Sequence, residues 1–513
     1  MFIAGQKEMQ QMDQFTMEKI GLPGVVLMEN AGARVVEEIV ASTSCKNPRI
    51  IILAGGGNNG GDGFVIARRL FDLGLKTLLC LLVKPDKLKG DAKVHFDVYI
   101  NRKLPIFYFH ENTVEALRLE LAQANIIVDA ILGTGVNGPV REPFNQIIST
   151  VNELEIMVIS VDIPSGVSSD TGKVEGVAIK AEKTITFVFP KKGFFLQDGP
   201  LYVGEWKAAD ISVPPSIVED LGLELPRLIT ESLAKAAVPV RPKNGHKGTF
   251  GHALVLGGSR HYVGAPIFSA KAVLHSGAGL VTLAIPESIY PMAATQNPES
   301  LLVPLPDEDG HFAIAAVDEL RPRLEQFDSV AIGPGISRFT GGEEWIKSLM
   351  GALTDQPIIV DADALYLLRD QLELVRVYKG NVILTPHPGE MANLINRPVK
   401  GVEADRIETA KSFAKKFQVY LLLKGHRTII ASPDGEVYIN PYGHDALGKG
   451  GSGDVLTGLI SSFLAQGALP LDAMIAASYL HARAGEEKAK TLSHYGVMPF
   501  DLVDGIRELL NRI

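Results

Sequence analysis

A recurring unit limits the fold more than any other feature: a short apolar run stops at Gly, Pro or Asp and gives way to a helical pattern. Residues 49–57 (RIIILAGGG) read as a buried strand running into a turn, followed by a helix from Phe64 to Leu73. The unit returns at 76–83 (KTLLCLLV), 125–133 (NIIVDAILG) and 156–164 (IMVISVDIP). Strand-like runs separated by helical patterns predict a parallel sheet with helices on both faces. Prolines bracket 213–226 (VPPSIVEDLGLELP), and a domain boundary is expected there, at 222. Beyond it the unit restarts at 252–258, 279–286, 329–335, 357–363, 381–387 and 419–425, with helices around 455–466 and 472–489. A chain of 513 residues exceeds what one core usually supports. The expectation is therefore two α/β domains, 1–222 and 223–513, each with a mostly parallel sheet.

Composition narrows the function classes. The formal net charge is -9 and no long Lys/Arg run appears, so nucleic acid is not an expected partner. No apolar run reaches the ~18 to 20 residues of a membrane span. The N-terminal MFIAGQKEMQQMDQF does not read as a secretory leader. Cys45 and Cys80 are the only cysteines, too few for a disulfide framework, and a reducing, cytoplasmic setting is expected. An acidic protein can still hold phosphorylated small molecules through backbone N–H groups at glycine-rich turns. Many of the 51 glycines fall in such clusters.

The first cluster, Ala54-Gly55-Gly56-Gly57-Asn58-Asn59-Gly60-Gly61-Asp62-Gly63, follows a strand and opens a helix. Gly55, Gly57 and Gly60 fit the G-x-G-x-x-G spacing, yet Leu82-Val83-Lys84 stands where the acidic ribose partner belongs. No Gly-Lys-Ser/Thr follows, which excludes a Walker A loop. What remains is a dense nest of backbone donors with two amide side chains, suited to phosphate. A tight strand-to-helix turn is the plainer alternative, at a large cost in backbone entropy. Three further segments stand at strand ends, where open α/β sheets place ligands: Asp129–Gly135, Val161–Gly166 and Phe189-Pro190-Lys191. Asp129 and Asp162 follow apolar runs; a half-buried carboxylate needs a cation, donors or a shifted pKa, unless it merely caps a turn.

Taken with Leu27-Met28-Glu29-Asn30-Ala31-Gly32, these segments resemble the N-terminal epimerase domain of the bifunctional NAD(P)H-hydrate repair family. The resemblance implies a Rossmann-like three-layer sandwich. It implies that Asn59, Asp129 and Ser165 help to hold a potassium ion. Asn58-Asn59-Gly60-Gly61-Asp62 and Gly133-Thr134-Gly135-Val136-Asn137-Gly138-Pro139 would line the nucleotide. Asp162 would contact the hydrated nicotinamide, with Lys191 as its catalytic partner. Carboxylate, amide and hydroxyl oxygens are hard ligands that suit an alkali cation.

The second half carries Gly448-Lys449-Gly450-Gly451-Ser452-Gly453-Asp454 ahead of the helical text VLTGLISSFLAQG. Several N–H donors and a helix N-terminus face an anion there, with a carboxylate directly after. Asp454 reads either as a general base or as a plain first-turn carboxylate. The cluster resembles the anion hole and base of ribokinase-like kinases. With Lys243–Gly251, Gly333-Pro334-Gly335, Asp361–Leu365, Thr385–Met391 and Leu423–Thr428 in that order, it is similar to the hydrate dehydratase branch of that superfamily. The resemblance implies that Lys424-Gly425-His426-Arg427-Thr428 and Asp445-Ala446-Leu447 through Gly453 line ADP or ATP. Gly335 and His387-Pro388-Gly389-Glu390-Met391-Ala392-Asn393 would line the hydrated dinucleotide, and Asp454 would be catalytic. Asp361 and Glu390 read either as magnesium-orienting carboxylates or as turn residues. His387 has no second histidine at ligand spacing. The lead-in Asn440-Pro441-Tyr442-Gly443-His444-Asp445-Ala446-Leu447 departs from the short Asn–Gly form the family pattern leads one to expect.

The activity implied is paired repair: the first domain interconverts the R and S hydrates of NADH or NADPH. The second phosphorylates the 6-hydroxyl of the S form, and phosphate departs to regenerate NAD(P)H. A fused chain without a leader points within the family to ADP over ATP, and a homo-oligomer is expected. Two rivals stand beside this reading. A vitamin-precursor kinase of the same superfamily would leave a stable phosphorylated product. A nucleotide-sensing scaffold would bind without turnover, against which the Gly453-Asp454 pair speaks. Fold alone does not separate them.

Overall fold

A computed structural model describes residues 1–43, 45, 47–136 and 138–513. The chain forms two compact units, Met1–Leu225 and Pro226–Ile513. The break falls just beyond 222 because Leu225 is buried in the core of the first unit, with Leu221 and Leu223 packed against the same cluster.

The first unit is built on seven parallel strands: β1 Arg49–Ala54, β2 Lys76–Leu81, β3 Ile106–Tyr108, β4 Ile126–Ala130, β5 Met157–Val161, β6 Lys183–Phe187 and β7 Glu205–Ala209. Their order is β3-β2-β1-β4-β5-β6-β7. Alternation along β1 shows why both faces must be covered. Ile50 and Ile52 join one buried cluster and Ile51 and Leu53 join another, on opposite sides of the sheet. Chain order reverses between β1 and β4, so the turns that follow these two strands open a crevice at their carboxyl ends. The loops Gly55–Gly57 and Ile131–Gly135 leave from that point.

Two expectations change here. The helix after β1 spans Asn58–Asp72, so half of the glycine cluster is its first turn rather than a preceding loop. Strand β7 carries no apolar run: it is an edge strand whose residues are mostly exposed or half-buried, and its polar text hides it.

The second unit holds a ten-stranded sheet. Its strands are β8 Arg227–Leu228, β9 His252–Leu256, β10 Leu280–Pro286, β11 Leu301–Leu305, β14 Ser329–Ile332, β15 Ile358–Val360, β16 Val382–Leu384, β17 Tyr420–Leu423, β18 Ile429–Ala431 and β19 Val437–Ile439; β12 Asp307–Glu308 and β13 His311–Phe312 form a separate hairpin. The order is β11-β10-β9-β14-β15-β16-β17-β18-β19-β8. All pairs are parallel except β17 with β18 and β18 with β19. These antiparallel strands of three residues are too short to show a period in the sequence. The helices Ser452–Ala465 and Pro470–Gly496 pack their apolar sides into the core shared with β9 and β10. No helix among the described residues is long and apolar enough to cross a membrane.

Candidate active sites

In the first unit a cavity of about 720 Å³ opens at the β1/β4 switch point. Its wall includes Asn58, Asn59, Asp62, Gly133, Thr134, Gly135, Val136, Gly138, Pro139 and Asp162. Asn137 lies outside the described residues. Gly60 and Gly61 belong to the same turn but not to the wall. A Cβ on Gly60 would sit 2.1 Å from the Gly55 carbonyl oxygen, and one on Gly61 would sit 2.5 Å from Met28 Sδ. Gly60 lets the helix start against the turn that follows β1, and Gly61 lets Met28 pack against the helix; Asn58 and Asn59 beside them line the cavity.

Asp129 lies beneath that wall, fully buried at the end of β4. Its carboxylate accepts from Ser160 Oγ (2.8 Å), Ser165 N (2.9 Å), Ser165 Oγ (2.5 Å) and Ile131 N (3.3 Å). Burial raises its pKa, and the serine hydrogen bonds only partly offset that. Asn59 donates through Nδ2 to the Leu132 carbonyl at 2.9 Å, and its Oδ1 is buried without a hydrogen-bond partner. Ser165 Oγ accepts from Leu132 N at 2.8 Å, linking the two. An orphaned amide oxygen beside a buried carboxylate and a hydroxyl is a hard-oxygen set that an alkali cation fits.

Asp162 is held in an unusual way. Its backbone has φ 63, and Val188, just past the end of β6, has φ 62, a conformation that a β-branched residue seldom adopts. Asp162 Oδ1 accepts from Lys191 Nζ (2.5 Å), Thr186 Oγ1 (3.1 Å) and Phe187 N (3.1 Å). Lys191 is completely buried behind it and also donates to Thr186 Oγ1 and to the Phe189 carbonyl. Lys191 therefore orients Asp162 from below and is not part of the cavity wall. Two more carboxyls face the same space. Burial first, then Asp162, pushes Asp13 up to about 6 despite the opposing pull of Lys191. Burial, Asp162 and Asp13 raise Asp62 well above the carboxylate range. Asp13 and Gln10 come from the helix Gln6–Phe15. No motif announces them.

In the second unit a cavity of about 650 Å³ gathers Asp361, His387, Lys424, Gly425, His426, Thr428, Asp445, Leu447, the whole run Gly448–Gly453, and Asp454. Gly451 (φ 96) turns the chain into the helix Ser452–Ala465, and Asp454 stands in its first turn. Lys424, where β17 ends, donates to Asp361 Oδ1 at 2.7 Å and lies 3.7 Å from Glu390 Oε2. Thr457 Oγ1 donates to the other Asp361 oxygen at 2.6 Å. Burial alone would raise the Asp361 pKa; Lys424 and the hydrogen bonds from Thr457 and Thr385 together outweigh it and hold the carboxyl low. Burial works against the charge on Lys424, yet Asp361 and Glu390 raise its pKa. Asp454 is left with the surplus: burial, then repulsion from Asp361, lifts it to about 7 against the pull of Lys424. Three carboxyls thus bear on one ammonium, which offsets only part of their charge.

Several expected residues fall outside this cavity. Met391 and Ala392 point into the core, Ala446 is buried, and Gly335 spends its carbonyl on Ser259 Oγ at 2.8 Å. Pro388, Gly389, Glu390, Asn393 and Arg427 are likewise not on the wall. His387 caps the helix Pro388–Leu394: its Nδ1 accepts from Gly389 N and Glu390 N, and Glu390 Oε2 accepts from His387 N at 2.7 Å. Ser478, His481 and Ala482 complete the wall from the long helix. Burial depresses His481 to about 4, so it is neutral, and its Nε2 lies 2.9 Å from the Ser452 carbonyl oxygen. The spacing of 478, 481 and 482 along one helix face was the available signal for them.

A Rossmann-like unit and a ribokinase-like unit, each with a cavity where glycine turns meet shifted carboxyls, define a two-centre nucleotide enzyme. The family model for NAD(P)H-hydrate dehydratase matches residues 253–508, and that for the YjeF-related protein N-terminus matches 24–193. The Bifunctional NAD(P)H-hydrate repair enzyme Nnr of Moorella thermoacetica is 38% identical over 100% of this chain and 97% of its own length. That of Thermofilum pendens is 34% identical over 100% and 97%. Among solved structures, the ADP/ATP-dependent NAD(P)H-hydrate dehydratase of Bacillus subtilis, co-crystallized with ATP/Mg2+, is 32% identical with a TM-score of 0.49, covering 56% of this chain and 98% of that one. The chain belongs to the bifunctional NAD(P)H-hydrate repair enzyme family.

Proposed function

We propose that the protein repairs hydrated NADH and NADPH at two centres, epimerising the R and S hydrates in the first unit and dehydrating the S form in the second with ADP or ATP. The observation that carries the reading is Asp454, a carboxyl with a pKa of about 7 placed directly after a glycine turn. A base of that pKa is half ready at neutral pH to take a proton from a hydroxyl, and the backbone N–H groups of Gly448–Gly453 suit the phosphoryl oxygens. The 6-hydroxyl oxygen then attacks the terminal phosphorus, Asp454 accepts its proton, and AMP or ADP leaves. Phosphate departs from C6, driven by the ring nitrogen's lone pair, and a proton lost from the neighbouring ring carbon restores the double bond. Hydroxide is a poor leaving group and phosphate a good one, which gives the nucleotide its purpose. Asp361 and Glu390 would hold magnesium, which supplies positive charge to the phosphates when bound.

In the first centre, C6 of the hydrate bears both the ring nitrogen and a hydroxyl. Its configuration is lost when either bond opens reversibly, and each opening needs a proton on the departing atom. Asp13, with a pKa of about 6, and the more strongly raised Asp62 are suited to deliver it. Asp162, anchored by Lys191, is suited to hold the ring. Asn59, Asp129 and Ser165 would hold potassium, which supplies charge that keeps Asp129 ionised. Cys45 and Cys80 are free thiols, in keeping with a reducing, cytoplasmic setting.

The test is to incubate the protein with chemically hydrated NADH, containing both epimers, and either ADP or ATP, while following reduced-nicotinamide absorbance and phosphate. Full recovery with stoichiometric inorganic phosphate is expected. Recovery of the S fraction alone would remove the epimerase reading, and a stable phosphorylated product would favour the kinase rival.

A further inference from the structure

The lead-in to the second glycine turn brings together three side chains that the phosphoryl-transfer chemistry does not use. His444 and Asp445 stand on the rim of the second cavity. His494 reaches them from 49 residues further along the chain. His444 Nδ1 lies 2.8 Å and His494 Nδ1 lies 3.0 Å from Asp445 Oδ1. One ligand atom from each of the three residues lies within 4.8 Å of the other two. The two imidazole rings are 4.5 Å apart, centre to centre.

His494 Nδ1 hydrogen-bonds Asp445, lying 3.0 and 3.1 Å from its two oxygens, whereas the contacts of His444 Nδ1 conflict. His444 Nδ1 accepts from Ala446 N at 3.2 Å, which occupies its lone pair. An imidazole nitrogen carries either a lone pair or a proton, so the same atom cannot also donate to Asp445. His444 Nδ1 thus stands 3.2 Å from the Ala446 N–H and 2.8 Å from Asp445 Oδ1, and it cannot serve the first as acceptor and the second as donor. A metal ion between Nδ1 and the carboxylate accepts both lone pairs, at the expense of only the longer contact to Ala446. The backbone adds a second sign of a built arrangement. Ser493, at φ 67 and ψ 164, interrupts the helix Pro470–Gly496 in a region that is essentially reserved for glycine, and His494 follows it directly. The next residue, Tyr495, accepts from Lys449 Nζ through its carbonyl oxygen, so the break in the helix is tied to the glycine loop at two points.

We propose that His444, Asp445 and His494 bind a divalent transition-metal ion of the zinc class on the rim of the dehydratase cavity. Two imidazoles and one carboxylate suit Zn²⁺, Co²⁺ or Ni²⁺, whereas Mg²⁺ prefers an all-oxygen shell. Asp445 and His494 are exposed, so water fills the remaining positions. The ion would staple the turn Asp445–Leu447, immediately ahead of the phosphate-facing glycines, to the end of the long helix. This site is distinct from the carboxylates Asp361 and Glu390.

The full-length, untagged, metal-free protein is titrated with Co²⁺ in excess Mg²⁺, and the visible absorption of protein-bound Co²⁺ is followed. One saturable equivalent is expected, displaced by Zn²⁺ and not by further Mg²⁺. His494→Ala lies on an exposed position and should fold normally while weakening Co²⁺ binding by about tenfold or more, since even indirect partners of a metal contribute ~10–100-fold. His494→Cys should bind Co²⁺ and add a thiolate charge-transfer band, which a merely structural role for residue 494 would not produce. Absence of saturable Co²⁺ absorption, wild-type affinity in His494→Ala, or no thiolate band in His494→Cys would each overturn the proposal.

Discussion

Replacing Asp454 with Asn should slow the dehydration and at the same time stabilise the second unit. Asn is nearly isosteric with Asp but cannot accept the hydroxyl proton, so dehydration should fall by ~10² to 10⁴. The wild-type rate at limiting substrate should rise with pH through about 7 as Asp454 ionises, and the variant should lack that limb. Stability follows from the same shift. A carboxyl raised from 3.8 to about 7 in the folded protein prefers its protonated form there. Its favourable contribution is complete below the unfolded pKa and is lost as pH rises through 7. Three pKa units correspond to a ceiling of ~4 kcal/mol at pH 8, relative to a group with no shift. Asn has no such penalty, so the second unit of Asp454→Asn should melt later than wild type at pH 8, and the gap should close below pH 4. Activity on hydrated NADH, with epimerisation in the same polypeptide as a folding control, and melting at the two pH values are the assays. Dehydration within about threefold of wild type, well short of a general base's usual contribution, or a variant less stable at pH 8, would refute the reasoning.

Asp129→Ala should weaken epimerisation and potassium dependence while leaving dehydration of pure S hydrate intact; equal loss of both, read on separated epimers, would reject the assignment. Asp13→Asn should slow epimerisation by ~10²-fold or more if Asp13 is the proton donor. The wild-type rate should then fall as pH rises through about 6, where Asp13 loses its proton, and a pH profile compares the two. Polypeptides 1–225 and 226–513 should each fold and keep one activity, because each unit has its own core and cavity; insoluble or inactive fragments would contradict that.

What the sequence exposed were features contiguous along the chain. Gly448–Asp454 was readable because loop, helix start and carboxylate are neighbours in sequence, and Asp361 and Lys424 because strand ends are where such sheets put ligands. What it hid was made by packing. His481 and Thr457 reach the site from helix faces that read as core, and Asp13 comes from a helix with no motif. Gly60 and Gly61 looked like phosphate donors, yet their missing side chains answer the closeness of Gly55 and Met28. The polar edge strand β7 and the three-residue β18 and β19 gave too little pattern to be seen.

The pairing of β8 with β19 reaches further than its two residues suggest. Arg227 and Leu228 lie opposite Tyr438 and Ile439 and cover the outer edge of the ten-stranded sheet. The dehydratase family match begins only at residue 253. A fragment cut where that match begins would leave the outward-facing N–H and C=O groups of Tyr438 and Ile439 unpaired, in a strand whose inner side bonds β18 and whose residues are otherwise buried. Bare, apolar edges of that kind recruit strands from other molecules. The short link after the first unit therefore acts as a guard against self-association, and it cannot close until some two hundred further residues have been synthesised.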